Sequence, residues 1–353
     1  MQQSNSSHNY SNNHNNNSNK VPVVVVGYGY LGRFHAQKVG QIDNSYLVGV
    51  IDPSDDRRKL AQQEFPHIKT FDSIENATKN NLMFDAAIVA SPTSMHFSLI
   101  KKLFELKKHI LCEKPICSSK EEIVEIEQII AENNKNNKSD KKLVLQVGHS
   151  ERFHQAFDIL VEMNGGSALK DIGLVLFNRL APYKPRALDV DVVQDLMIHD
   201  IDLLLHLFSE KPSKISASGQ KFVSDSWDFV TAAFEFPSGR KAQLRAHRDY
   251  VKTQREIEII NSSGSYLVDL FLNEIHFTER GFIEFHKISP DAKKITYPKR
   301  DHLLIEQKAF YNAILDGNGK SIISFEEGVA ALKIAFEVLK SVESSFNFST
   351  YQH

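Results

Sequence analysis

Apolar and polar positions divide this chain into two halves with different periods. The first half opens at Val23-Val24-Val25-Val26, a short, wholly apolar, β-branched run. That is the pattern of a strand buried on both faces of a parallel sheet. Further apolar runs at Tyr46–Ile51, Phe84–Ala90, His109–Cys112 and Leu143–Val147 follow it. They alternate with helical segments at Arg33–Val39, Asp55–Glu64, His96–Lys107 and Lys120–Glu132. Alternation at this spacing predicts a doubly wound parallel sheet, a Rossmann-type α/β domain, over residues 21–147. Asn133–Lys142, rich in Asn, Lys and Ser, reads as a polar loop before the last strand.

After Gly148 the pattern changes. A long helix is expected over Asp191–Phe208, followed by alternating strands at Lys214–Val223, Phe229–Phe236, Ala242–His247, Glu256–Ile260, Tyr266–Leu270 and Phe282–Ile288. Turn residues at Pro237-Ser238-Gly239 and Ser262-Ser263-Gly264 predict antiparallel pairing of adjacent strands. Amphipathic helices at His302–Leu315 and Phe325–Ser344 close the chain, and these can pack back on the first domain. Residues 148–353 thus form a separate α+β domain on a mainly antiparallel, open-faced sheet. It is large enough to carry substrate specificity.

Composition narrows the partners. A formal net charge of −2 gives no general attraction to nucleic acid or to an anionic membrane, so any anionic ligand has to be held locally. No run approaches the roughly 18 apolar residues of a membrane span. Residues 1–20, mostly Asn, Ser and His, lack the apolar stretch of a secretory signal and are expected to be a disordered tail. Cys112 and Cys117 are too few for a disulfide framework and read as buried, inert thiols, so the cytoplasm is the expected compartment.

The first strand runs into Gly27-Tyr28-Gly29-Tyr30-Leu31-Gly32, and Asp52 ends the next strand 20 positions after Gly32. A glycine turn between strand and helix, with an acidic residue at that offset, is the dinucleotide fingerprint. Gly27 permits the tight turn, Gly29 lets the backbone approach a pyrophosphate, and Gly32 allows close packing. The helix start at Tyr30 and Leu31 offers free N–H groups to the phosphates. Asp52 can accept from the ribose hydroxyls and repels a 2′-phosphate, which favours NAD; Arg57 and Arg58 keep NADP open. Ser91-Pro92-Thr93, with His96, ends one strand at the ligand-binding edge of the sheet, and Glu113-Lys114-Pro115 ends another. Asp195 and His199 are four apart on a largely apolar helix, so both are expected on one face, where a carboxylate supports a histidine acid/base. His199, Asp200, Asp202 and His206 also form a ligand-rich cluster, but no cysteine pattern supports a metal.

Together these pieces resemble the glucose–fructose oxidoreductase and inositol dehydrogenase family (Gfo/Idh/MocA) over nearly all of the chain from Val21. The carrying motifs are the glycine turn, Pro92-Thr93 with His96, Glu113-Lys114-Pro115, Gly148-His149 with Arg152-Phe153, and Asp195 with His199. The resemblance implies metal-free hydride transfer, with Lys114 on the reacting hydroxyl and Pro115 after a cis peptide bond. It also places Ser91, Thr93, His96 and Glu113 at the cofactor, and His149 and Arg152 with Lys114, Asp195 and His199 at the substrate. His154-Gln155 departs from the Asn-Pro that relatives often carry. The resemblance further implies a dimer or tetramer, in keeping with an antiparallel sheet whose face lacks helices.

The chemistry this predicts is oxidation of a secondary hydroxyl on a sugar, with either Lys114 or His199 taking the proton first. Residues 179–202 resemble the branch of the family that oxidises C3 of UDP-N-acetylglucosamine, a step that precedes the diamino sugar of lipid A. Arg179, Lys184 and Arg186 put three cations where a diphosphate could be held. A free polyol or sugar, such as inositol or glucose, is the alternative substrate. A non-catalytic NAD-binding regulator, or a glycosidase that uses NAD transiently, is the alternative of another class.

Overall fold

The computed structural model describes residues 20–136, 142–184, 190–279 and 292–350. The first half builds a six-stranded sheet from β1 (Val21–Val26), β2 (Ser45–Ile51), β3 (Lys69–Phe71), β4 (Ala86–Val89), β5 (His109–Glu113) and β6 (Leu145–Gly148). Its order is β3-β2-β1-β4-β5-β6, with every pairing parallel. Both faces are covered, which is why Val23, Val24, Val25, Ala86, Ala87 and Ile88 are all fully buried. Helices α1 (Tyr30–Val39), α2 (Asp55–Glu64), α3 (Ile74–Lys79), α4 (Thr93–Glu105) and α5 (Lys120–Asn136) make the crossovers. The strand order turns around between β1 and β4, which opens a crevice beyond their carboxyl ends.

Two expectations change here. α5 runs on to Asn136, through the start of the stretch read as a polar loop. The apolar face of the helix carries Ile123, Ile126, Ile129 and Ile130 into the core, and the polar residues that follow it prolong its exposed end. β3 and α3, which the periodicity does not mark, complete the sheet edge; three residues are too few to show a period.

After α6 (Gln155–Glu162) comes β7 (Ile172–Leu180), the central strand of the second sheet, in a region to which the pattern assigns no element. The other strands are β8 (Lys214–Gln220), β9 (Phe229–Glu235), β10 (Lys241–His247), β11 (Gln254–Asn261), β12 (Gly264–Asp269), β13 (Glu274–Glu279) and β14 (Lys293–Thr296). Their order is β14-β13-β12-β11-β7-β10-β9-β8. β7 separates the consecutive strands β10 and β11, so it runs parallel to β10 and antiparallel to β11. With that one parallel pair among the described strands, the sheet is mainly antiparallel, as expected. The strand expected at Phe282–Ile288 lies outside the described residues.

The expected helix over Asp191–Phe208 begins with one π-helical turn, Val193–Met197, before α7 (Ile198–Phe208). α7 and α9 (Phe325–Thr350) cover one face of the second sheet; Met197, Ile201, Leu204, Leu332 and Ala335 join Val230, Phe234 and Leu244 in one core. α8 (His302–Asp316) leaves that sheet and packs on the first, where Phe310 and Tyr311 share a cluster with Val23, Val25 and Ala36. No helix among the described residues is long and apolar enough to cross a membrane.

Candidate active site

Two cavities meet beyond the carboxyl ends of β1, β4 and β5, and Lys114 and Asp195 line both. The larger, about 730 Å³, is walled by Gly27, Gly29, Asp52, Ser91, Pro92 and Thr93. Gly27 has φ +91°, and a side chain there would stand 2.7 Å from the Ser91 amide nitrogen. Gly29 precedes the first turn of α1, and a Cβ there would meet only the Arg57 guanidinium, 4.0 Å away. A backbone surface left bare at a helix N-terminus suits a pyrophosphate. Asp52 is buried, and its carboxylate accepts from the amides of Tyr28 (2.6 Å) and Ser54 (2.8 Å). Arg57 Nη1 lies 3.5 Å from it. These residues fit a dinucleotide: the glycines give the phosphates room, and Asp52 stands where ribose hydroxyls would come.

Not every residue assigned to the cofactor faces this cavity. Leu31 and Glu113 line the neighbouring one, whereas the Tyr30 ring is exposed and packs edge-on against Phe34. His96 is buried with both ring nitrogens engaged, one at 2.8 Å from the Pro115 carbonyl and one at 2.9 Å from that of Ser91. It ties together the two turns that carry Thr93 and Lys114. Glu113 is held by His35 at 2.8 Å and by the Lys114 amide at 3.3 Å. Burial works against its charge, but His35 and Lys114 hold the Glu113 carboxyl below its usual range.

The Lys114–Pro115 bond is cis. Lys114 Nζ donates to the Asp195 carbonyl at 2.6 Å and sits 3.6 Å from the Asp195 carboxylate. His199 lines the second cavity, about 380 Å³, and its Nδ1 is buried without a partner. Burial, then Lys114 and Arg179, push its imidazole well below the usual range, so it is neutral. The expected support of His199 by Asp195 is not made: the carboxylate is paired with Lys114. Asp195, in the π turn, and His199, in α7, still line the same cavity.

The cationic loop expected around Arg179 is also redrawn. Arg179 lies within β7, buried, donating to Asp200 at 2.9 and 2.7 Å and to Glu151 at 3.4 Å. Its charge is already met, as a buried guanidinium requires. Arg152 is likewise bidentate to Asp202, at 2.8 and 2.6 Å, and reaches Glu327 at 2.7 Å. Asp200 and Asp202 of the ligand-rich cluster are thus each paired with an arginine. His149 is buried behind the cavity wall, and Arg186 lies outside the described residues. Lys184 does line the cavity.

Sequence reasoning missed Glu151, Arg248, Thr253 and Arg255 on the same wall. The signal was there in the density of cations at Arg245, Arg248, Lys252 and Arg255. Arg248 donates to the carbonyls of Val190 and Trp227 at 3.0 Å each, whereas Arg255 is 44% exposed and 3.5 Å from Glu151. Burial opposes ionisation of Glu151, but Arg179 and Arg255 outweigh it and hold the carboxyl down at about 2.

Comparison with known proteins agrees with this construction. Residues 21–138 match the oxidoreductase family described as NAD-binding Rossmann fold, Gfo/Idh/MocA, and residues 178–267 match the Gfo/Idh/MocA C-terminal domain. The UDP-N-acetylglucosamine 3-dehydrogenase of Acidithiobacillus ferrooxidans is 34% identical over 82% of this chain and 87% of its own. Its solved structure superposes with a TM-score of 0.79 over 92% of this chain and 98% of that one. The myo-inositol 2-dehydrogenase of Thermotoga maritima is 24% identical over 90% and 95% of the two chains. A Lactobacillus casei scyllo-inositol dehydrogenase solved with NAD(H) and scyllo-inositol, 21% identical with a TM-score of 0.74 over 92% and 98%, shares the fold. This chain belongs to the Gfo/Idh/MocA family of NAD(P)-dependent oxidoreductases, enzymes that dehydrogenate the CH–OH groups of sugars and polyols.

Proposed function

We propose that the chain oxidises a secondary hydroxyl of a nucleotide sugar, C3 of UDP-N-acetylglucosamine or a close relative, with NAD rather than NADP. The observation that carries this reading is the meeting of the two cavities at Lys114 and Asp195, with Lys184 and the half-exposed Arg255 on the sugar side. Lys184 and the exposed Arg255 both line the sugar cavity, so we assign them to a diphosphate. The likeness to the Acidithiobacillus dehydrogenase supports the same substrate class.

Bound NAD supplies the hydride acceptor. Gly27, Gly29 and the first turn of α1 hold its pyrophosphate, and Asp52 takes the ribose hydroxyls, where a 2′-phosphate would meet a buried carboxylate. Lys114, fixed from below by Asp195, presents its ammonium to the substrate oxygen and stabilises the alkoxide as the hydroxyl proton leaves. His199, neutral because it is buried among cations, stands ready to take that proton. The protein's contribution is alignment and charge. We also propose that the enzyme works in the cytoplasm as a dimer or tetramer joined through the uncovered face of the second sheet.

The test is NADH formation against UDP-N-acetylglucosamine, its uronic acid, free inositol and free glucose. The nucleotide sugars are expected to lead by at least tenfold in kcat/KM. Preference for inositol or glucose would replace the substrate assignment, and NADP used in preference to NAD would overturn the role given to Asp52.

A further inference from the structure

The junction between the two sheets holds a set of polar side chains that the reaction as described does not use. β6 brings Gln146 and, just beyond its end, His149 into the junction, and α8 brings Glu306. All three are buried, with Gln146 donating to the Glu306 carbonyl at 3.2 Å. Gln146 Oε1, both ring nitrogens of His149, both carboxyl oxygens of Glu306 and Nδ1 of His199 have no protein partner within hydrogen-bond reach. Buried polar atoms are normally paired, and a group of exceptions in one place needs a reason. Other buried histidines show the contrast: His35 and His96 have both ring nitrogens engaged.

The surrounding charges are already balanced. Glu113 is held by His35 and the Lys114 amide, and Asp202 by Arg152, with Glu327 on the far side of Arg152. His149 Nδ1 is 3.8 Å from Asp202. Burial, then Glu113 and Asp202, push the Glu306 carboxyl well above its usual range, so it is a neutral acid. Burial outweighs the pull of Asp202 and keeps His149 a neutral imidazole. A neutral acid and a neutral imidazole with no bonds spent can each accept one proton while passing on another.

Oxidation of a hydroxyl sends the carbinol C–H electron pair to the nicotinamide as hydride and releases the O–H proton. We propose that this proton leaves inward, from His199 or Lys114 through His149 to Glu306 and Asp202, and reaches solvent beside Glu327, with internal water bridging the longer steps. This rests on the hydroxyl-oxidising reading of the site but not on the nucleotide sugar. Neither His149 nor Glu306 is among the residues that line the sugar cavity; both are positioning residues that act through His199 and Lys114.

The isosteric E306Q variant tests it in two arms. In the NAD-bound protein without substrate, infrared difference spectra should show a protonated-carboxyl stretch at neutral pH in the wild type, absent in E306Q. An ionised Glu306 overturns the proposal. With the sugar or polyol oxidised best, E306Q should lower kcat on the order of 10²-fold, the lower edge of what proton-transfer groups contribute, with KM within about twofold. The kcat–pH profile should change shape, and added formate or imidazole should restore part of the rate. An unchanged kcat, or a loss equal at every pH and without rescue, assigns Glu306 a merely structural part and overturns the relay. H149N, read out in the same way, tests the other end should E306Q fold poorly. Failure of the nucleotide-sugar reading would show separately, as a wild type that prefers a free polyol.

Discussion

The dinucleotide cavity and the sugar cavity adjoin, yet they are built from different materials. The first is shaped at its glycine turn and helix N-terminus by main chain, with a buried carboxylate beside them that itself accepts two backbone N–H groups. The second is walled by charged side chains drawn from β7, the π turn, α7 and the start of β11. Main-chain sites depend on local sequence, because a tight turn or a helix start is made by adjacent residues. Side-chain sites depend on which strands lie side by side, and in this sheet neighbours in space are far apart in sequence.

The largest effect is expected where the two cavities touch. Lys114→Ala should lower kcat by about 10³-fold, within the range that a proton-transferring or charge-stabilising group contributes. NADH fluorescence should still report cofactor binding near the wild-type affinity. Near-normal turnover would remove Lys114 from the reaction and leave the meeting of the cavities without chemistry. Gly27→Ala tests the main-chain wall. Its φ of +91° and the nearby Ser91 amide leave a side chain neither conformational nor spatial room. About 10²-fold weaker NAD binding is expected by titration, with melting temperature lowered as well; wild-type affinity would show that the turn does not shape the phosphate site.

The same division explains what could be read in advance. The glycine turn, Asp52 and Glu113-Lys114-Pro115 sit at strand ends that the apolar runs mark clearly, and the parallel sheet followed from those runs. Arg179 was misread because Ile172–Leu180 was not recognised as a strand, so a buried guanidinium between Asp200 and Glu151 looked like a residue of a basic loop. The one parallel pair, β7 with β10, was illegible for a related reason: local turns predict hairpins, and nothing local announces a strand inserted between the two arms of a connection. The spacing of Asp195 and His199 was read correctly as four residues. The π turn between them is a tertiary outcome that no periodicity reveals.

Asp195→Asn separates the two materials within one residue. Lys114 donates to the main-chain carbonyl of Asp195, which the substitution keeps, while the carboxylate 3.6 Å away is lost. A fall in kcat of about 30-fold is expected, less than for Lys114→Ala, since only the charge beside the ammonium goes. On the proposed mechanism the acid limb of kcat/KM tracks the imidazole of His199, which burial and nearby cations hold well below its usual range. That limb should stay in place in the variant. Movement of the limb to lower pH would mean that the carboxylate does act on His199, and the pairing found here would not be the working one.

Arg255→Glu carries the smallest of these effects and bears on the side-chain wall alone. The guanidinium is 44% exposed and faces Glu151, whose negative charge is already shared with Arg179. Glu151 therefore keeps a cationic partner when Arg255 is reversed, and the core behind the cavity should survive. What changes is the charge presented to an incoming anion. One charge-assisted hydrogen bond contributes about 1.5 kcal/mol, roughly tenfold in affinity, so KM for a nucleotide sugar should rise at least that far with kcat nearly unchanged. KM for a free sugar, which brings no phosphate, should move less than about twofold. An equal rise for both substrates would mean that Arg255 shapes the pocket without reading charge. No rise for either would take Arg255 out of diphosphate binding and leave that part to the other cations of the wall, Lys184 first among them.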